Sequence, residues 1–258
     1  FRLPEPLLTW LDDSVRQGEV PAAGFIWRGS TRRGQGAHRT SQLYVKARRL
    51  ELAYDPAWPA LHDVDATVWV DDARAFARAD RARILDTAVQ DLVLRVLPRS
   101  GGARLDVAAG VTGDVRAAQS LLAQSPLADL TGGVFVDWSL AGAANGDLAI
   151  SLELGENPAR PWVDLSLGLA GGSARIAQAD LPVTGIDGQL IYRSRTGFAG
   201  TRARGNVLGG HIDLTARDGA RRGVDLDLDG RVSSAAVADW LQLSQLDFAR
   251  GEAQVAGR

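Results

Sequence analysis

The densest run of metal-type ligands is Asp225-Leu226-Asp227-Leu228-Asp229-Gly230, which matches the first half of a calcium loop. Such a loop wraps a hard cation in alternating carboxylates, turns at a glycine and closes on a bidentate Glu at its twelfth position. That position is Ala236 here. Val224, Leu226 and Leu228 alternate with the acids, so the run reads as the wet face of a strand, and no metal site is expected. His38, His62 and His211 are the only histidines and stand at no metal-ligand spacing, which places them on the surface or at strand ends. The absence of Cys excludes a thiol nucleophile, a Cys-based metal site and a disulfide framework. No G-x-S-x-G, P-loop, dinucleotide fingerprint or H-E-x-x-H occurs. Paired carboxylates abound, but any set of alternating strands with Asp on its wet side produces them, and a β-rich hydrolase resting on them alone is set aside. The expectation is a non-enzyme with no catalytic residue and no cofactor.

Arg28, Arg32, Arg33 and Arg39 cluster in the Gly-rich stretch from Gly29 to Thr40. A solvated loop is the expected reading, ahead of a basic patch that meets anionic lipid head groups at the groove rim. A formal net charge of -2 argues against a strongly basic nucleic-acid binder. No run of 18 uncharged apolar residues exists, and no signal peptide is visible. The chain has no Met, so Phe1 is not read as a natural start.

The elements that position these residues are mainly strands. Pro6 to Gln17 reads as an amphipathic helix with Leu7, Leu8, Trp10, Leu11 and Val15 near one stripe, closed by Gly18 as a C-terminal cap. A strand with Phe25 and Trp27 on one face follows, then another from Leu43 to Tyr54. Pro56 and Pro59 bracket Trp58 and make Tyr54 to Leu61 a turn. Val64, Ala66, Val68 and Val70 alternate with Asp65, Thr67, Trp69 and Asp71, and strands continue through Val89–Leu97 and Ala103–Ala109. Asp114 caps a second helix that ends at Gln124, before Pro126. Further strands are expected at Val134–Leu140, Leu148–Leu154, Trp162–Leu169, Ala174–Leu181 and Val224–Val232. Between the last two, Leu181 to Asp218 reads as three strands and two turns punctuated by glycines. A third helix is expected from Ser234 to Leu243, with Trp240 on its stripe as Trp10 is on the first.

These blocks repeat. Each helix is followed by a Gly-containing turn and a strand, with Gly18, Gly132-Gly133 and Gly251 in matching places, and Gly29 matching Gly142. Val64, Asp65, Val68 and Phe76 match Ile186, Asp187, Leu190 and Phe198 at constant spacing. The expected units are 6–112, 113–232 and a truncated 233–258. Three short helices cannot cover roughly fifteen strands, so the apolar face must be closed by a second sheet, by barrel formation, or by an apolar ligand in an open trough. Inward positions rich in Leu, Val, Ile and Ala, with 6% aromatics, favour the trough. The fold class expected is all-β with a few short amphipathic helices, as an elongated, curled antiparallel groove. The alternative is a β-sandwich of an envelope protein with an ordinary closed core. Candidate groove-lining rows are Leu148, Ile150, Leu152 and Leu154 on one strand and Val163, Leu165, Leu167 and Leu169 on another. Ile186, Leu190, Ile212 and Leu214 belong to the Gly-punctuated stretch, and Val224, Leu226 and Leu228 to the strand after it.

LLTWLDDSVRQGEVPAAGFIWRG, YDPAWPALHDVDATVWV and LPVTGIDGQLIYRSRTGFAGTRARGNVLGGHIDL together resemble the central part of the YhdP/AsmA-like family of envelope proteins. The resemblance covers nearly the whole chain, and the Tyr54-to-Leu61 turn and the Gly185–Gly210 pattern are its most specific parts. It implies a long U-shaped β-groove, anchored in the inner membrane and crossing the periplasm, that passes phospholipids towards the outer membrane. By that resemblance the chain is an excised middle segment: phospholipid acyl chains are its partners, membrane contact lies in parts outside it, and no catalytic residue carries over.

Overall fold

Alternating apolar and polar residues commit most of this chain to strands, and short turns join them into antiparallel neighbours. The computed structural model describes residues 5–30, 39–125, 138–155, 160–176, 180–218, 224–242 and 251–257. Helix α1 (Glu5–Ser14) leads into β1 (Val15–Arg28), β2 (Thr40–Leu52), β3 (Leu61–Asp71), β4 (Arg74–Ile84), β5 (Thr87–Arg99) and β6 (Gly102–Asp114). Helix α2 (Val115–Ala123) leads into β7 (Trp138–Gly155), β8 (Trp162–Ile176), β9 (Leu181–Arg193), β10 (Arg202–Val207), β11 (Gly210–Asp218) and β12 (Val224–Ser233). Helix α3 (Ser234–Trp240) precedes β13 (Glu252–Gly257). The thirteen strands form one sheet in sequence order, with β1 and β13 at its two edges, so it is not closed into a barrel. The chain divides into two compact units: unit 1 is Phe1–Val111 with Asp147–Val163, and unit 2 is Thr112–Gly146 with Asp164–Arg258.

Several expected boundaries are corrected. The first helix stops at Ser14 rather than Gln17, because Val15 already pairs with Leu52. Gly18 is therefore not a helix cap. It lies inside β1 at φ +154, among register shifts, where a Cβ would come within 3.1 Å of Leu50. Gly142 repeats this role in β7 at φ +130 against Gly172, so the backbone matches Gly142 to Gly18 and not to Gly29. The strands expected at Val134–Leu140 and Leu148–Leu154 meet in the single strand β7, of which residues 134–137 lie outside the described residues. Trp162–Leu169 and the first part of Ala174–Leu181 likewise join as β8, and residues 177–179 lie outside the description. Glycines between the expected strands admit a neighbouring backbone. A Cβ on Gly146 would meet the Ser166 carbonyl oxygen at 1.8 Å.

The strands also share an internal step. A strand places every second residue on one face, and an inserted bulge residue shifts that phase by one. Apolar-face residues step from Ala47 to Leu50 in β2 and from Leu61 to Val64 in β3, where Leu50 faces Val64 and Leu52 faces Leu61. They step from Ala79 to Ala82 in β4 and from Val89 to Leu92 in β5. Unit 2 repeats this with Leu169 to Gly172 in β8 and Val183 to Ile186 in β9. Arg49, Asp63 and Asp91 take left-handed φ values of +48, +52 and +50, and Gly171 and Gly185 take +59 and +58. In each unit the bulges of adjacent strands form a line across the sheet.

Candidate functional site

In unit 2 the register builds one apolar face strand by strand. Leu167 faces Leu190, and Leu165 faces Tyr192. Leu169 faces Gly188, which faces Ala203, which faces Leu214, which faces Leu228, which faces Gly257. A parallel row runs through Gly205, Ile212, Gly230 and Val255. The leucines and isoleucines of these rows are half-buried, while Ala174, Phe198, Val207, Ala216 and Val232 are buried.

Unit 1 carries an equivalent face. Phe25, Leu43, Val70, Ala75 and Val96 form one row, and Ala23, Val45, Val68, Ala77 and Leu94 the next. Ala47, Ala66, Ala79 and Leu92 follow beside the bulges. Val64, Ala79, Ala82, Ile84 and Val89 are buried, whereas the first two rows are half-buried apart from the exposed Ala23 and Phe25, the latter at 49%. Among the described residues nine of the sixteen buried apolar side chains are alanines, and no large side chain falls below 2% exposure. A two-sheet sandwich would bury its large residues completely. The leucine and valine rows here are not sealed, and no second sheet lies among the described residues.

The opposite face is charged in both units. In unit 2, Arg217 Nε pairs with Asp227 at 2.9 Å and Arg193 Nε with Asp164 at 3.3 Å. Asp227 faces Thr215 and Asp229 faces Asp213, which puts the calcium-like acids on this wet face. Such exposed pairs add little stability, but they mark which face meets water. Unit 1 adds a cross-strand aromatic row, Tyr44, Trp69 and Phe76, with ring centroids 5.9 and 5.3 Å apart.

Carboxylates on this polar face hold the bulges. The Arg49 backbone N–H donates to Asp65 Oδ1 at 3.0 Å, and the Gly171 backbone N–H donates to Asp187 Oδ1 at 2.9 Å. Arg49 and Gly171 stand 122 positions apart, as do Asp65 and Asp187. The bond from Arg49 holds the Asp65 carboxyl below the usual carboxylate range, with Arg81 beside it adding to the effect. Asp106 is lowered by the Ser151 hydroxyl and then Arg104, and Asp114 by the backbone N–H of Arg116 and then that of Gly142. Burial pushes the Tyr54 hydroxyl up, with Asp55 adding to it.

The sequence profile of the YhdP protein family matches residues 2–258. The chain belongs to the YhdP family. That membership fits envelope lipid-transport proteins in general. No curated protein and no solved structure matches the chain. No helix among the described residues is long and apolar enough to cross a membrane.

Within this YhdP-family chain, Leu165, Leu167, Leu169, Ile186, Leu190, Ile212, Leu214 and Leu228 come together on the unit 2 apolar face. Val163 is 3% exposed. Val224 and Leu226 pair with Asp218 and Ala216, though their side chains lie outside the description. Leu148, Ile150, Leu152 and Leu154 share one face of β7, opposite Ser151 with its bond to Asp106. Arg28 and Arg39 are exposed, and Arg32, Arg33 and His38 lie outside the described residues. Trp10 Nε1 donates to the Tyr54 carbonyl oxygen at 3.1 Å, which ties α1 to the β2–β3 turn. The unit 1 rows were missed as candidates. Their signal was the alternation of Ala75, Ala77, Ala79 and Ala82 with larger neighbours, weakened because alanine is barely apolar.

Proposed function

We propose that this chain is a segment of a hydrophobic groove that carries phospholipid acyl chains between inner and outer membrane. On this reading it lies in the periplasm, within a protein whose inner-membrane anchor is outside the chain, and it works passively, without catalysis. The supporting observation is that each unit presents rows of Leu, Val and Ile, continuous across hydrogen-bonded strands yet only half-buried. An acyl chain gains about 0.8 kcal/mol per buried methylene, so a half-covered chain of ~16 carbons is held by roughly 6 kcal/mol. Moving from one row to the next exchanges like contacts for like, so the tail slides without returning to water. Residues 6–112 and 113–232 are then two copies of one building block and 233–258 the start of a third. The twin carboxylate-held bulges, 122 positions apart, support that division.

A photo-crosslinking residue at Leu167 should capture acyl chains in cells, and gently extracted protein should carry phospholipid detectable by mass spectrometry. Capture of no lipid by either route sinks the proposal. Leu165→Arg should leave the fold intact and stop transport in the full-length protein; global unfolding would instead point to a sealed core.

A further inference from the structure

Consecutive strands run antiparallel, so the β1–β2, β3–β4, β5–β6 and β7–β8 connections all fall at one end of the sheet. Each carries arginine at that end: Arg28 and Arg39, then Arg74, then Arg99, then Arg160. All five belong to unit 1 and are exposed. Successive hairpins at one end recur about every 10 Å, twice the strand spacing. Among the described residues none of the five forms an ion pair, whereas six of the unit's eight other described arginines do: Arg16, Arg49, Arg78, Arg81, Arg83 and Arg104. Of the acids near this end, Asp71 and Asp72 bond the neighbouring strand, Asp106 is lowered by the Ser151 hydroxyl, Arg104 and in part Arg99, and Glu153 is exposed. Asp72 Oδ1 accepts from the Ser41 backbone N–H at 2.6 Å, and Asp71 Oδ1 from Gln42 Nε2 at 3.2 Å. The opposite end, at the β2–β3 and β4–β5 turns, carries Asp55 and Asp86 instead.

The apolar face is graded in the same direction. Residues near the acidic end, Val64, Ala82, Ile84 and Val89, are buried, while Leu43, Val70 and Val96 towards the arginine end are half-exposed. Arg28 faces Thr40 and Arg74 faces Asp71, both at polar-face positions next to the turns, so an amphiphile with its tail on the accessible rows meets these arginines where its polar end passes the strand ends. We propose that this end of unit 1 is a phosphate-binding rim, which takes the phosphodiester head groups of glycerophospholipids whose tails lie on the adjoining apolar rows. Guanidinium forks match phosphate oxygens and stay charged at every relevant pH. Hairpins about 10 Å apart give a sliding head group a new partner at each step. The inference rests on the groove reading.

The test compares Arg28→Gln/Arg74→Gln/Arg99→Gln/Arg160→Gln with a control of equal charge loss, Arg48→Gln/Arg78→Gln/Arg83→Gln/Arg95→Gln. A photo-crosslinking residue at Val68 reports capture from detergent micelles holding phosphatidylglycerol or diacylglycerol, which share tails but not the phosphate. At about fivefold per arginine as a ceiling, the rim variant should lose at least tenfold of the preference for phosphatidylglycerol and the control about twofold or less. Salt should weaken the wild-type preference as well. Retained preference in the rim variant, or equal losses in both variants, overturns the rim while leaving the groove standing. Capture of neither lipid by the wild type overturns the groove reading and the rim with it. Glycerol 3-phosphate competing at the lipid's own affinity would assign the site to free phosphate and reject the lipid head group.

Discussion

Removing the carboxylate that holds each bulge should affect the two units unequally. Arg49 and Gly171 occupy the same left-handed conformation, and each gives its N–H to an aspartate of the next strand. Glycine adopts that conformation without penalty, while a residue with a Cβ pays about 1–2 kcal/mol for it. An exposed hydrogen bond to a charged acceptor contributes about 1 kcal/mol. Asp187→Ala therefore removes the bond alone, about 1 kcal/mol. Asp65→Ala also removes the ion pair with Arg81 at 2.7 Å, about 2 kcal/mol in all. Amide hydrogen exchange reads this locally: protection at Gly171 should fall about fivefold in the first variant, and protection at Arg49 about thirtyfold in the second. Arg49→Gly should bring Asp65→Ala back to the level of Asp187→Ala. Unchanged protection in both variants, or no rescue by glycine, would show that the carboxylates do not hold the bulges.

The carboxyls of Asp65, Asp106 and Asp114 are lowered in the fold, so their contribution is fully present above the ordinary carboxylate range and is lost as pH falls through the lowered values. Amide protection at Arg49 and Arg116 should decline progressively below about pH 4, and a flat profile down to pH 2 would contradict that. Gly146→Ala should cost about 1–3 kcal/mol, because the new Cβ meets the Ser166 carbonyl oxygen at 1.8 Å. Gly24→Ala, with nothing within 4 Å, should be neutral or slightly stabilising in the same thermal melts.

Local chemistry made part of this fold legible in advance. Asp114 accepts from the Arg116 backbone N–H at 2.8 Å as the N-cap of α2, and Ser233 does the same for α3 through the Ala236 N–H at 3.4 Å. Asp55 holds the β2–β3 turn through the Ala57 N–H at 2.7 Å. Strands with Leu or Val at every second place were equally plain. Signals that depend on a neighbouring strand were not. Gly142, Gly146 and Gly172 looked like chain breaks, yet they are places where backbones approach closely, and sequence does not say what approaches. The β4 segment, with Ala at its apolar positions and Arg at many others, shows its amphipathic pattern only once Val68 and Val70 are set opposite Ala77 and Ala75. The candidates therefore favoured leucine-rich strands and left out the first six.

The line of bulges is a collective feature, and this is why it escaped a strand-by-strand reading. Had β2 alone gained its extra residue, Leu50 would still meet Val64 on the apolar face, but His62 rather than Leu61 would come opposite Leu52 there. The step survives because β3, β4 and β5 make it together, so that Leu52 still meets Leu61 and Ala82 still meets Val89. Each bulge also bends its strand and sharpens its twist. The most covered apolar residues of unit 1, among them Ala47, Val64, Ala79, Ala82 and Val89, stand beside the bulges. Coverage is thus greatest along the line and least on the rows leading to the arginine-bearing turns, which gives a one-sheet protein a sheltered apolar floor without a second layer. Carboxylates at Asp65 and Asp187 fix that line from the polar side, out of reach of anything lying on the apolar rows. The same residue pair can therefore shape the face in both units while the rows themselves vary.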